Sequence, residues 1–89
     1  MLEKYRTKID EIDCALLKLL AERLTISKEI GKHKKRNNIS IQNKEREKQV
    51  ITERIQKFKE LGFDDENFMV ELFELILKKS REVQQEQGN

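Results

Sequence analysis

Over the first third of the chain, apolar residues recur at alternating steps of three and four: Leu2, Tyr5, Ile9, Ile12, Leu16, Leu19, Ile26 and Ile30. That spacing is the period of one face of an α-helix, and it predicts a single uninterrupted helix from Leu2 to Arg36. Between Leu19 and Ile26 the same line falls on Arg23. A guanidinium set into an apolar stripe must find a partner or forfeit hydration worth on the order of several kcal/mol. No carboxylate occupies the neighbouring seam positions, so the pattern asks for an anion from outside the helix.

Asn37 and Asn38 break the first pattern, and Ile39 to Gln42 reads as a short connection whose Ile39 and Ile41 are placed to pack over the helices. Asn43 is a candidate N-cap for a second helix, with Glu45 and Glu47 near its positive end. Its stripe is Glu47, Val50, Ile51, Arg54, Ile55, Phe58 and Leu61, and Gly62 stops it. Phe63-Asp64-Asp65 reads as a turn with a cap. A third helix then carries Phe68, Met69, Leu72, Phe73, Ile76, Leu77, Ser80, Val83 and Gln84 on its inward face, with Gln85 to Asn89 expected to fray. Each predicted stripe therefore holds polar groups: Arg23 in the first, Glu47 in the second, Ser80 and Gln84 in the third.

Length decides how these helices assemble. About 35 helical residues make a rod of roughly 50 Å, whereas the two shorter helices reach only about 30 Å each. A lone three-helix bundle would leave part of the first stripe in water, and a second copy of the chain is the economical cover. The expected fold is all-α, one long and two shorter helices forming an intertwined homodimer, with residues 1–89 as a single domain. The 89 residues are near the size at which a core alone is marginal. No proline and glycine only at 31, 62 and 88 suit long helices.

Charge and rare residues narrow the chemistry. With 19 basic and 17 acidic residues the net charge is +2, which argues against a dedicated nucleic-acid binder. The basic run Lys32 to Arg36 reads as a solvated helix C-terminus. The single cysteine and single histidine make a metal site an unattractive reading. Cys14 and His33 lie about 28 Å apart along one rod, which excludes a Cys–His nucleophile within one chain. No leader-like apolar run and no membrane-length stretch is present, so the expected location is the cytoplasm.

Arg23, Ser27, Ile30 and Lys34 fall on one helix line, the two cations about 16 Å apart along the axis. Their long side chains are suited to bracketing a small dianion. Arg46 and Glu47 enter from the start of the second helix, Ser80 and Gln84 from the end of the third. This set favours a ligand with carboxylates and a hydroxyl: Arg takes carboxylates bidentately, Glu accepts from a hydroxyl, and Ser or Gln donates to a remaining oxygen. Arg6 lies about 25 Å from Arg23 on the same rod. If the first helices of a dimer run antiparallel, Arg6 of one chain reaches the pocket of the other.

Four segments then resemble one family. Tyr5-Arg6-Thr7-Lys8-Ile9-Asp10-Glu11-Ile12-Asp13, Leu19-Leu20-Ala21-Glu22-Arg23, Ile30-Gly31-Lys32-His33-Lys34 and Lys44-Glu45-Arg46-Glu47 occur in the order and spacing of the all-helical chorismate mutases. The resemblance spans nearly the whole chain and implies a dimer in which three helices from each of two chains enclose two sites. It implies rearrangement of chorismate to prephenate, on the route to phenylalanine and tyrosine, without cofactor, metal, acid, base or nucleophile. By the same resemblance Arg6 across the interface and Arg23 hold the two carboxylates, with Ser80 assisting. Lys34 and Gln84 address the ether oxygen, Glu47 takes the ring hydroxyl near the Asn43 backbone, and Arg46 orders that end. The chain departs from the family pattern where Asn43-Lys44 replaces a frequent Asp-Pro, and where Arg81 stands in place of an apolar wall residue.

Two other functions compete. Isochorismate-pyruvate lyase uses a similar cationic site, but Glu47 belongs to the mutase pattern. A catalytically inert helical dimer would instead bind an acidic partner or nucleic acid through Lys28 to Arg36, a run with no interleaved aromatic residues for base stacking.

Overall fold

The computed structural model describes residues 1–88, which form three helices and no strand: α1 (Leu2–Arg36), α2 (Lys44–Glu60) and α3 (Glu66–Gly88). Local chemistry sets most of these limits. At the end of α1, Asn38 adopts a left-handed φ of 53°. Its N–H donates to the Lys35 carbonyl and that of Ile39 to the Lys34 carbonyl, the paired closure of a Schellman turn. Gly62, at φ 100°, closes α2 in the same way, with the Gly62 N–H on Lys59 and the Phe63 N–H on Phe58. The Phe63 ring stacks on Phe58 at 5.4 Å and supplies the apolar contact that accompanies such a turn. Asn43 caps α2 by accepting from the Arg46 N–H at 3.0 Å, and Asp65 caps α3 by accepting from the Phe68 N–H at 3.1 Å. The expected fraying of Gln85 to Asn89 is corrected as far as Gly88: these residues continue α3, since Gln and Glu are good helix formers. Asn89 lies outside the described residues.

α3 is the central element. Among the described residues α1 and α2 both pack on it and not on each other. Val50 from α2 and Met69, Leu77 and Val83 from α3 make the apolar core, joined by the buried polar side chains Ser27, Ser80 and Gln84.

One expectation is corrected here. The stripe from Leu2 to Ile30 is not the face that α1 buries within its own chain: Tyr5, Ile12 and Leu19 are 61, 60 and 61% exposed. α1 meets α3 through the adjacent line of half-buried Leu20 and Leu24 and buried Ser27 and Gly31, about 100° around the helix. The small residues permit it. A Cβ added at Gly31 would lie 2.7 Å from the Gln84 carbonyl oxygen and 2.8 Å from its Cα, so the two helix backbones touch where a side chain would hold them apart.

The first half of α1 projects beyond the other helices. The molecule measures 54 × 24 × 16 Å with a radius of gyration of 16.0 Å, against about 12 Å for a compact domain of this length. Its accessible surface is 7387 Å², against about 5,500 Å² for a folded monomer of this mass.

Candidate active site

The C-terminal half of α1, the start of α2 and the end of α3 border a half-open cavity of about 400 Å³. That volume is in the range of small-molecule sites. Seven of the eight residues expected at a site line it: Arg23, Lys34, Asn43, Arg46, Glu47, Ser80 and Gln84. They arrive there because each stripe turns polar at the end that meets the others. The eighth, Arg6, lies on the projecting half of α1 and pairs with Glu3 at 3.0 Å. Within one chain it is remote from the cavity.

Arg23 is half-buried. Its Nη1 donates to Ser80 Oγ at 3.0 Å, and Ser80 Oγ shares a 2.5 Å hydrogen bond with Ser27 Oγ. Burial, and then the neighbouring charges of Arg54 and Arg46, lower its pKa below the ordinary value. Among the described residues no carboxylate pairs with it. A guanidinium desolvated, crowded by two others and lacking a counter-ion makes a receptor for a carboxylate.

Across the cavity, Lys34 Nζ donates to the Ile41 carbonyl at 2.5 Å, which leaves two of the ammonium's three donors for a ligand. Gln84 is buried, and its Oε1 has no hydrogen-bond partner among the described residues. The residue lines the cavity with that acceptor unpaired, at the point where Gly31 lets α3 approach α1.

Glu47 is the only carboxylate lining the cavity among the described residues. Its Oε2 accepts from Arg81 Nη1 at 2.7 Å, and its Oε1 makes a long 3.4 Å contact with Gln42 Nε2. Arg46, expected to order this end, lines the cavity and donates to Gln49 Oε1 at 3.0 Å, and the residue that grips Glu47 is Arg81. Asn43 lines the cavity while its side chain caps α2.

Three contributors carry no assigned role in the sequence reading. Ser27 lies on the line with Arg23 and Lys34, where spacing alone gives it no task. The pair Ser27-xxx-Gly31, two small residues one turn apart, is the signal of close helix approach that hydrophobic spacing overlooks. The Ile41 carbonyl has no side-chain signature at all. No membrane-crossing helix and no cluster of metal-binding side chains is present among the described residues.

Comparison with known proteins places this cavity in context. The family model for "Chorismate mutase type II" matches residues 5–85. A chorismate mutase of Methanocaldococcus jannaschii is 36% identical over 85 residues, covering 96% of this chain and 85% of that protein. A bifunctional chorismate mutase/prephenate dehydratase of Buchnera aphidicola is 36% identical over 76 residues, 85% of this chain but 20% of that longer protein. No solved structure matches at comparable significance.

Proposed function

The chain belongs to the chorismate mutase type II family, and we propose that its cavity carries out the rearrangement of chorismate to prephenate by holding the substrate folded and stabilising charge on one oxygen. The activity is that of an isomerase. The ether C–O bond breaks as a C–C bond forms between the enolpyruvyl methylene carbon and the ring, so no proton, electron or group leaves the molecule. What the protein supplies is geometry and field. Both carboxylates are gripped so that the two reacting carbons meet in a chair-like conformer, and fixed donors face the ether oxygen, where negative charge grows.

Arg23, steadied by Ser80, takes one carboxylate. Arg6 of the partner subunit takes the other. Lys34 and Gln84 face the ether oxygen and contribute to rate, because their hydrogen bonds strengthen only as that oxygen gains electrons. Glu47 accepts from the ring hydroxyl beside the backbone of Asn43, and Arg46 adds positive potential at the mouth. No cofactor or metal enters the reaction.

A homodimer is part of this reading. The excess of exposed surface over a compact monomer, about 1,900 Å² on the scaling of folded proteins, is of the size that obligate dimers bury. The apolar stripe of α1 lies exposed within one chain and supplies the apolar part of such an interface. The observation that bears the functional reading is the half-buried Arg23, without a carboxylate partner among the described residues and sharing a cavity with Lys34 and Gln84.

The test follows chorismate absorbance with the purified protein and identifies the product. Prephenate is expected. Pyruvate from isochorismate, without prephenate from chorismate, would overturn the assignment in favour of a lyase.

A further inference from the structure

Glu47 stands in the first turn of α2 on a long side chain with several rotamers, and a carboxylate that must meet one hydroxyl gains from being fixed. Its sequence neighbour Arg46 is engaged with Gln49. The group that reaches Glu47 comes from the opposite wall: Arg81, on α3 one residue beyond Ser80. The Arg81 Nη1–Glu47 Oε2 distance is 2.7 Å, with the two side chains 31 and 21% exposed. At that length the contact is a charge-assisted hydrogen bond, sheltered enough to be worth more than a surface pair.

The pair also sits on a boundary. On its outer side lies a second groove lined by Lys44, Lys48 and Lys78, and the residues common to groove and cavity are Glu47, Leu77 and Arg81. The ion pair and Leu77 therefore form the partition between the polar cavity and the outer surface. One oxygen of Glu47 is committed to that partition. Among the described residues the other, Oε1, has only the 3.4 Å contact with Gln42, at the weak limit of a hydrogen bond, and remains available to a ligand donor.

We propose that Arg81 is a positioning residue that commits one oxygen of Glu47 to the cavity wall and presents the other to the substrate's ring hydroxyl, so that selectivity for that hydroxyl belongs to the pair. This deepens the functional reading above and rests on Glu47 meeting the hydroxyl. A site built to bond a hydroxyl rejects an analogue without it far more strongly than an apolar wall would, provided the acceptor is held in place. Arg81 does the holding.

The test compares Arg81→Met, Arg81→Lys and Glu47→Ala on two substrates, chorismate and an analogue lacking the ring hydroxyl. Arg81→Met is expected to lower kcat/KM for chorismate about tenfold, chiefly through KM, as loss of one hydrogen bond involving a charged group implies. The analogue's kcat/KM should stay within about twofold, because the group served by Glu47 is missing from it. Arg81→Lys should recover most of the loss, since an ammonium can still donate to Oε2. A merely structural arginine would depress both substrates alike, and that result, or an unchanged chorismate value, overturns the proposal. Glu47→Ala separates the two levels. If it fails to discriminate between the substrates, the hydroxyl contact itself is wrong. If it discriminates while Arg81→Met does not, only the role of Arg81 falls.

Discussion

Two cations in one cavity are prepared for different tasks by their surroundings. Arg23 has its pKa lowered by burial first and by Arg54 and Arg46 second, so the folded chain holds its proton less willingly than the unfolded chain does. For a base the sign is direct: the destabilisation is fully present below the folded pKa and fades only as pH rises through it towards the ordinary arginine range. At neutral pH it is therefore undiminished, and a bound dianion offsets it. Arg23→Met should leave the unliganded protein at least as stable in a thermal melt, yet abolish the rise in Tm that a dianionic substrate analogue gives the parent. Lys34 is held by one hydrogen bond to the Ile41 carbonyl. Lys34→Ala should reduce kcat about 10²- to 10³-fold, as removal of a donor to a developing oxyanion does, while the melting temperature moves little. An unchanged kcat would remove Lys34 from the ether oxygen.

The elements place these side chains through small residues and caps. The α1–α3 contact at Gly31 is close enough that a methyl group collides with backbone, at 2.7 Å from the Gln84 oxygen and 2.8 Å from its Cα, and backbone does not swing aside as a side-chain tip would. Gly31→Ala should thus destabilise by about 1–3 kcal/mol through overpacking, although alanine is the better helix former by about 1 kcal/mol. Denaturant unfolding gives the first quantity. The same shift moves Gln84, so kcat should fall too, and a variant of parental stability and activity would show that the helices part without consequence. Asn43 serves at once as cap and cavity wall, its side chain accepting the Arg46 N–H as an Asp in that place would.

At the scale of the whole molecule the long helix is the problem and the answer. Half of α1 extends past the other helices with Tyr5, Ile9, Ile12 and Leu16 in solvent, an apolar stripe that a soluble monomer would not sustain. Sedimentation should return twice the chain mass of 10.7 kDa, and Ile12→Glu should lower both mass and helicity. The sharper check uses two inactive variants. Mixed in equal amounts and allowed to exchange, Arg6→Ala and Arg23→Ala chains should recover about a quarter of parental activity, because half the dimers are mixed and each mixed dimer keeps one intact site of two. No recovery after proven exchange would place Arg6 outside the site.

Whatever depends on a few neighbouring residues can be read from the chain alone: the limits of α1, the cap at Asn43, a capped turn at Phe63-Asp64-Asp65, the stop at Gly62, and the change from apolar to polar along each stripe. Periodicity and capping act within one or two turns, so these features are legible without a partner. Tertiary packing alone settles which line of α1 meets α3, that Ser27 and Ser80 share a hydrogen bond, that Arg46 bonds Gln49 and that Arg81 turns in to Glu47. Hydrophobic spacing marks a face without naming what it faces, and the closest contact here runs through Ser27 and Gly31, which carry almost no hydrophobic signal. An arginine can reach in several directions from one Cα. Its direction is chosen by the charge across the gap, and that charge lies 34 residues away in sequence.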